Sequence, residues 1–426
     1  MSRRCVTRGT VLGGALCAAA ALPAGAQDAL PTGPITIDYS VNARQDYTDN
    51  FAFGGRSTFL TTVGPSFVIR GGSETFRVTG SGGLDAVYFS NSEAGRNRIS
   101  YRLGLDTRLT RERHTLGLDF DVLRTPGFFD DPRIAGFQVT QTQRLTYSFA
   151  PTYSYAITER LSANLGAGYS QTRWDDRLGD SLFDFTSTSV NAGLQYRLTE
   201  LDTVGLTASA SQFDTTPNVT SSSTRSLRAN WMRLWTETLT TQLAAGSTWS
   251  DTRVQRTALL CLFGGVVLPI PAAFCNPAFL QPVVIGQQTE AQVFIWNATA
   301  TYRLDPRTSL SARYGRDIFP SAGGALTERE VLSFSLSHQV TERFTAGFDY
   351  SRSETAFFGV PGAGTTGPRS SSVASYTGRL TWQLDRDWSM GAGLVRTEAQ
   401  FPGRAATSNA AFVTVSKTWP NNRLWP

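Results

Sequence analysis

The sequence predicts an all-β fold, a transmembrane antiparallel up-and-down β-barrel of about 18 strands, and three observations carry that reading. Apolar and polar residues alternate with a period of two along much of the chain. The alternating segments are joined by tight turns on one side and by longer polar connections on the other. Charged residues make up 17% of the chain, below the roughly 25% of soluble domains.

A period of two sends successive side chains to opposite faces of a strand. Ile35, Ile37, Tyr39, Val41, Ala43 and Tyr47 alternate with Thr36, Asp38, Ser40, Asn42, Arg44 and Asp46, which is the first strand. The pattern returns at Ile99, Tyr101, Leu103, Leu105 and Leu109, and again at Leu145, Tyr147, Phe149, Tyr153, Tyr155 and Ile157. The apolar parity gathers Phe59, Tyr101, Tyr153, Tyr155, Tyr169, Tyr196, Trp231, Tyr302, Tyr314, Phe344, Trp382 and Trp388 as aromatic girdles facing lipid. The opposite parity is polar. It carries Arg77, Arg102, Arg144, Arg197, Arg228, Arg303, Arg313 and Arg379 toward the lumen as candidate pore-lining residues.

A soluble sandwich also alternates, so the connections decide. The tight turns share a pattern: Leu109-Thr110-Arg111-Glu112, Thr158-Glu159-Arg160, Thr199-Glu200-Leu201, Thr236-Glu237-Thr238, Asp305-Pro306-Arg307, Thr341-Glu342-Arg343 and Asp385-Arg386-Asp387. Longer segments rich in Gly, Asp, Ser and Pro lie between them at 124–136, 174–184, 213–223 and 353–371. Tight turns and both chain ends are expected in the periplasm, with the longer loops outside. The best candidate for a membrane helix, Ala258 to Phe274, is broken by Gly264-Gly265, Pro269 and Pro271.

Residues 1–26 have the parts of a secretory signal: Arg3, Arg4 and Arg8, an apolar run from Val11 to Leu22, and Ala24-Gly25-Ala26 before Gln27. The expected division is signal peptide 1–26, a short periplasmic segment 27–34, the barrel 35–419 and a C-terminal tail 420–426. Losing those three arginines takes the formal charge from +5 to +2, which excludes a general nucleic-acid surface. The last strand, Ala411 to Trp419, ends aromatic, which resembles the signal read by the outer-membrane barrel assembly machinery. Lys417, the only lysine, stands in phase with its apolar residues.

Cys261 and Cys275 reach an oxidising compartment, where one disulfide is the default. They lie in Asp251 to Thr289, the longest expected loop, whose Leu259, Leu260, Leu262, Phe263, Val266, Val267, Leu268 and Ile270 are too apolar to be left in water. That loop is expected to fold into the lumen as a constriction, or to meet lipopolysaccharide or a partner.

Tyr47-Thr48-Asp49-Asn50 followed by Gly64-Pro65-Ser66-Phe67-Val68-Ile69 resembles the opening of a family of outer-membrane β-barrel porins often associated with exopolysaccharide synthesis and export loci. The resemblance implies a barrel and carries over no catalytic residues. It adds exopolysaccharide, or its export proteins, to the expected contacts with outer-membrane lipid and lipopolysaccharide.

No catalytic, metal or cofactor site is expected. His114 and His338 sit beside tight turns with outward parity, away from any nucleophile near the outer leaflet. Gly362 to Gly367 matches the dinucleotide spacing with no strand-to-helix context around it. Asp175, Asp176, Asp180 and Asp184 lack the spacing of a calcium loop. The luminal arginines keep two readings, raising the local anion concentration or pairing with Asp38, Asp85, Asp106, Asp119 and Asp349 to stiffen the wall. A barrel of this size implies a channel for small polar or anionic solutes or for exopolysaccharide. A non-conducting structural or assembly component of an export system is the alternative.

Overall fold

The computed structural model describes residues 35–126, 142–175, 183–216, 219–263, 266–267, 280–320, 326–358, 370–401 and 403–425. Residues 1–34 with the expected signal peptide, Cys275, the 362–367 glycine motif and Asp176 and Asp180 lie outside them, as does the side chain of Cys261.

Eighteen strands close into one antiparallel wall. They are β1 (Ile35–Thr48), β2 (Thr58–Gly72), β3 (Phe76–Phe89), β4 (Arg98–Arg111), β5 (His114–Pro126), β6 (Gln143–Ala156), β7 (Leu161–Trp174), β8 (Asp184–Arg197) and β9 (Asp202–Thr216). They continue with β10 (Thr220–Leu234), β11 (Leu239–Phe263), β13 (Leu280–Asp305), β14 (Thr308–Pro320), β15 (Leu326–Thr341), β16 (Phe344–Phe358), β17 (Ser370–Gln383), β18 (Trp388–Phe401) and β19 (Arg404–Trp425). The two-residue β12 (Val266–Val267) pairs only with the tip of β11. Each wall strand pairs with its neighbours in sequence, and β1 pairs with both β2 and β19, which leaves no open edge around the wall. This is the up-and-down transmembrane barrel that the alternation predicts. Strands of about 14 residues exceed the 9–11 needed to cross a bilayer at a tilt.

The wall separates two chemistries. Cross-strand partners share a face, so the register can be followed around the barrel. One row runs Phe344, Trp382, Met390, Val415, Ala43, Val63, Ala86 and Ile99, all on the outer surface. Outward side chains are bare of protein, with Leu394 69% and Ile99 62% exposed. Lipid is the solvent such a bare apolar face requires. Lys417 fits there because its ammonium lies over the rings of Trp388 (5.0 Å) and Trp419 (4.8 Å).

The recurring turn residues have a common cause. Thr158 Oγ1 accepts from the N–H groups of Arg160 and Leu161, and Thr199 Oγ1 from Leu201 and Asp202. Thr236 Oγ1 does the same for Thr238 and Leu239, and Asp385 Oδ1 for Asp387 and Trp388 at 2.7 and 2.8 Å. An oxygen-bearing side chain opening the turn satisfies donors that the ladder leaves free. Replacing Thr236 with valine should therefore cost roughly 1 kcal/mol in urea unfolding of the refolded barrel. At Asp385 the two N–H bonds hold the carboxyl below its ordinary range. A depressed folded-state pKa stabilises above the unfolded value of about 4 and loses that contribution as pH falls from there through the lower folded-state value. Asp385→Asn should destabilise at pH 7 and do so progressively less as pH falls below about 4, whereas the Thr236 effect should not change with pH.

The expected loops are shortened by strand. β9 and β10 run on to Thr216 and from Thr220, so the connection read at 213–223 shrinks to 217–219, and β16 and β17 likewise extend into 353–371. The largest correction falls on 251–289. Asp251 to Cys261 and Leu280 to Thr289 are two strands in continuous register, from Leu239 opposite Tyr302 to Cys261 opposite Leu280. This hairpin continues after β10 ends opposite Val254 and after the β13–β14 ladder stops at Trp296 opposite Arg316. Its described part is a two-stranded ribbon that continues beyond both neighbouring strands, because backbone pairing outweighs the local Gly and Pro signals in this segment. β19 also runs past Trp419, placing Trp425 opposite Ile35.

Candidate functional site

The inner face is polar along its length. Arg77 pairs across with Arg108, Arg102 with Gly83, Arg144 with Trp174, Arg197 with Thr203, and Arg228 with Gly246. Arg303 faces Ser309, Arg313 faces Thr299, and Arg379 faces Gly347. All eight therefore stand on the luminal side. Two lie flat against the wall over glycines: a Cβ at Gly83 would meet Arg102 Nε at 3.1 Å, and one at Gly347 would meet Arg379 Nε at 2.7 Å.

The two readings of these arginines divide between them. Arg228 bonds Asp317 at 3.1 Å and Arg379 lies 3.6 Å from Asp349, so these two brace the wall. Asp38 is taken by Arg70, which the sequence reading passed over. Asp106 and Asp119 face one another across β4 and β5, beside Asp121 on the same inner face. Arg77, Arg102, Arg144, Arg197, Arg303 and Arg313 make no ion pair among the described residues.

Exposure is graded along the axis. Toward the short-turn end Arg77, Arg197, Arg303 and Arg313 are exposed. Toward the long-loop end the inward side chains Thr172, Thr215, Thr220, Ser222, Thr327 and Thr355 are each 1% exposed or less. Thr172 shares a hydroxyl bond with Thr146 (3.1 Å) and Ser222 with Thr252 (2.8 Å), and Thr215 Oγ1 bonds the backbone of Thr220. Aromatic residues close over them. Phe185 (7% exposed) and Phe213 (5%) meet at a 34° tilt with ring centroids 5.1 Å apart. On the far wall Phe53 meets Phe401 and Phe51 meets Phe89 edge to face. Among the described residues, inward side chains are thus exposed toward the short-turn end and buried toward the other.

Between the two regions lies a luminal cavity of about 660 Å³. Phe185, Phe213 and the hydroxyls of Thr146, Ser170 and Thr172 form one side, and Arg228, Arg313, Arg329 and Asp317 the other. Phe185, Phe213, Arg329 and Asp317 escaped the sequence reading. A phenylalanine standing in the polar phase of its strand, as Phe185 does before Ser187 and Ser189, is the signal that would have found them. Such a cavity offers an anion cationic partners and a flat apolar surface together.

Other candidates resolve as structural contacts. His114 Nδ1 bonds the Tyr153 hydroxyl at 2.8 Å, and His338 Nδ1 bonds Thr308 Oγ1 at 2.9 Å, both at the short-turn end. Asp175 pairs with Arg124, and Asp184 Oδ1 accepts the Trp174 N–H at 2.9 Å. Among the described residues no group of three His, Cys, Asp or Glu side chains could hold a metal ion.

No protein-family profile matches the chain, and no curated protein sequence does. Among solved structures it is similar to OccK5 (OpdH) of Pseudomonas aeruginosa, at 14% identity over 92% of this chain and 99% of that one, with a TM-score of 0.47. It is also similar to OprD of Pseudomonas aeruginosa, at 9% identity over 92% and 97%, with a TM-score of 0.44. The ferric-catecholate import receptor Fiu of E. coli K12 aligns at 9% identity over 91% and 82%, with a TM-score of 0.47.

Proposed function

We propose that the chain is an outer-membrane channel for passive passage of small polar or anionic solutes. Short turns face the periplasm in this reading, and the aromatic-lined end faces outside, among lipopolysaccharide. The observation that supports it most directly is the set of unpaired arginines on the inner face of a barrel too wide for side chains alone to fill. Fixed positive charge in water-filled space raises local anion concentration, and a guanidinium grips a carboxylate with two parallel bonds. Exopolysaccharide enters as a solute through the family resemblance of the first two strands.

The buried inward side chains of the long-loop half favour a second reading, a non-conducting structural or assembly component of an export system. Single-channel recording in planar bilayers decides between them: discrete conductance steps support the channel, and a silent, folded barrel supports the structural role. Topology has its own check. A tag inserted at Thr341-Glu342 should stay hidden from surface label in intact cells, while one in the 359–369 connection should be labelled. The opposite pattern would invert the barrel.

A further inference from the structure

Leu227 and Phe294 are exposed on the lipid face, and their cross-strand partners and every second residue along β10, β11 and β13 share that face. From the short-turn end toward the long loops, the chemistry of this face changes in successive rows. Leu165, Ala192, Ala208, Leu227, Ser247 and Phe294 form a mainly apolar row across β7 to β13. The next row holds Val190, Ala210, Arg225, Trp249 and Gln292, and the one beyond it Ser223, Asp251 and Glu290. Two cavities open here, and Arg225 lines both. One is an apolar groove of about 770 Å³, where Ala167, Ala192, Ala208 and Ala210 leave space between the larger, exposed Leu165 and Val190. The other, of about 440 Å³, is polar and is lined by Arg225, Trp249, Asp251, Glu290 and Gln292. Arg225, Asp251 and Glu290 make no ion pair among the described residues, and the Trp249 indole is exposed.

A guanidinium only donates and a carboxylate only accepts. A molecule that fills the polar pocket must bring acceptor oxygens for Arg225, hydroxyl donors for Asp251 and Glu290, and a flat face to lie on the indole of Trp249. A fatty anion has no donors for the two acids. A neutral sugar has no charge for Arg225 and nothing to fill the groove. We propose that this outer-surface site binds one phosphorylated, acylated sugar, the lipid A chemistry of lipopolysaccharide. An acyl chain occupies the groove, a phosphate meets Arg225, and the sugar ring lies on Trp249 with hydroxyls toward Asp251 and Glu290. The proposal deepens the outer-membrane reading and rests on its orientation, which sets the long-loop end among lipopolysaccharide; it does not depend on conduction. Past Trp296 the β13 strand has a ladder partner only in β11, so a lipid held between Arg225 and the two acids also fixes the root of that ribbon against β10.

The test is native mass spectrometry of the refolded full-length barrel in detergent, titrated with diphosphoryl lipid A or with phosphatidylglycerol. One lipid A should be retained, about tenfold more tightly than phosphatidylglycerol. Arg225→Gln should weaken lipid A about tenfold, and so should Ala208→Phe, which blocks the groove from an exposed position. Trp249→Leu should narrow the preference for lipid A over phosphatidylglycerol. Arg396→Gln is the control: it removes a lipid-face arginine that already pairs with Glu398 at 2.8 Å, and it should change nothing. Heat-modifiable migration confirms that each variant has folded. Equal retention of the two lipids, an equal loss in Arg396→Gln, or lipid A binding untouched by Arg225→Gln and Ala208→Phe would overturn the site. A dimer or trimer formed in place of lipid binding would overturn it too, giving the groove to a second copy of the chain. A barrel that retains lipid A yet takes surface label at Thr341-Glu342 fails on orientation alone, and one labelled as expected that binds no lipid A loses the site alone.

Discussion

Replacing Arg102, Arg197 and Arg303 together with serine should move the barrel from anion toward cation preference, read as a shift in reversal potential under a tenfold salt gradient. None of the three makes an ion pair among the described residues, so their removal deletes mobile-ion attraction and breaks no brace. The inner face would keep Asp106, Asp119 and Asp121 clustered on β4 and β5 against fewer arginines, Arg77, Arg144 and Arg313 among them, so the anion preference should weaken. The shift should be largest near 0.1 M salt, where the Debye length is about 10 Å, and should shrink near 1 M, where it is about 3 Å. Arg379→Ser is the contrast. It frees Asp349 from its partner, so it should change stability as well as selectivity. An unchanged reversal potential in the triple variant at low salt would assign all eight arginines to the wall.

The parts of this molecule that were legible in the sequence are those set by short-range rules. Parity follows from a period of two, so the outward placing of Tyr101, Trp231 and Trp382, and the inward placing of Arg102 and Arg313, needed no tertiary information. The turns were legible for the same reason, since a Thr or Asp opening a two-to-four-residue connection bonds its own backbone. What escaped depends on distance. Asp317 reaches Arg228 over 89 residues, and no local pattern announces that pair. The hairpin of β11 and β13 was misread because Gly and Pro at its tip and its apolar composition resemble a loop. Pairing of Asp251 through Cys261 with Leu280 through Glu290 is instead a cooperative property of two strands. The inward aromatic pair escaped because Phe185 and Phe213 lie outside the apolar phase, where alternation alone treats an apolar residue as noise.

The largest expected effect on conduction belongs to that pair. Phe185→Ala with Phe213→Ala should raise single-channel conductance several-fold, or convert a silent barrel into a conducting one. Both rings are inward, in contact with one another and almost wholly buried, and both line the central cavity. The hydroxyl wall beneath them is equally closed, with Thr215, the cross-strand partner of Phe185, fully buried. Ion flow is limited by the narrowest section and by the cost of wetting an apolar constriction, so removing two adjacent rings acts on both. Each truncation should cost roughly 3 kcal/mol in unfolding, the lower end for a packed phenylalanine. The closed ladder of backbone bonds through β8 and β9 involves neither side chain and should keep the barrel heat-modifiable. Phe59→Ala removes an equally large ring from the lipid face and should leave conductance as it was. If the double variant folds and conducts no better than the parent, the barrier lies elsewhere in the lumen, and the aromatic pair is only a packing contact between neighbouring strands.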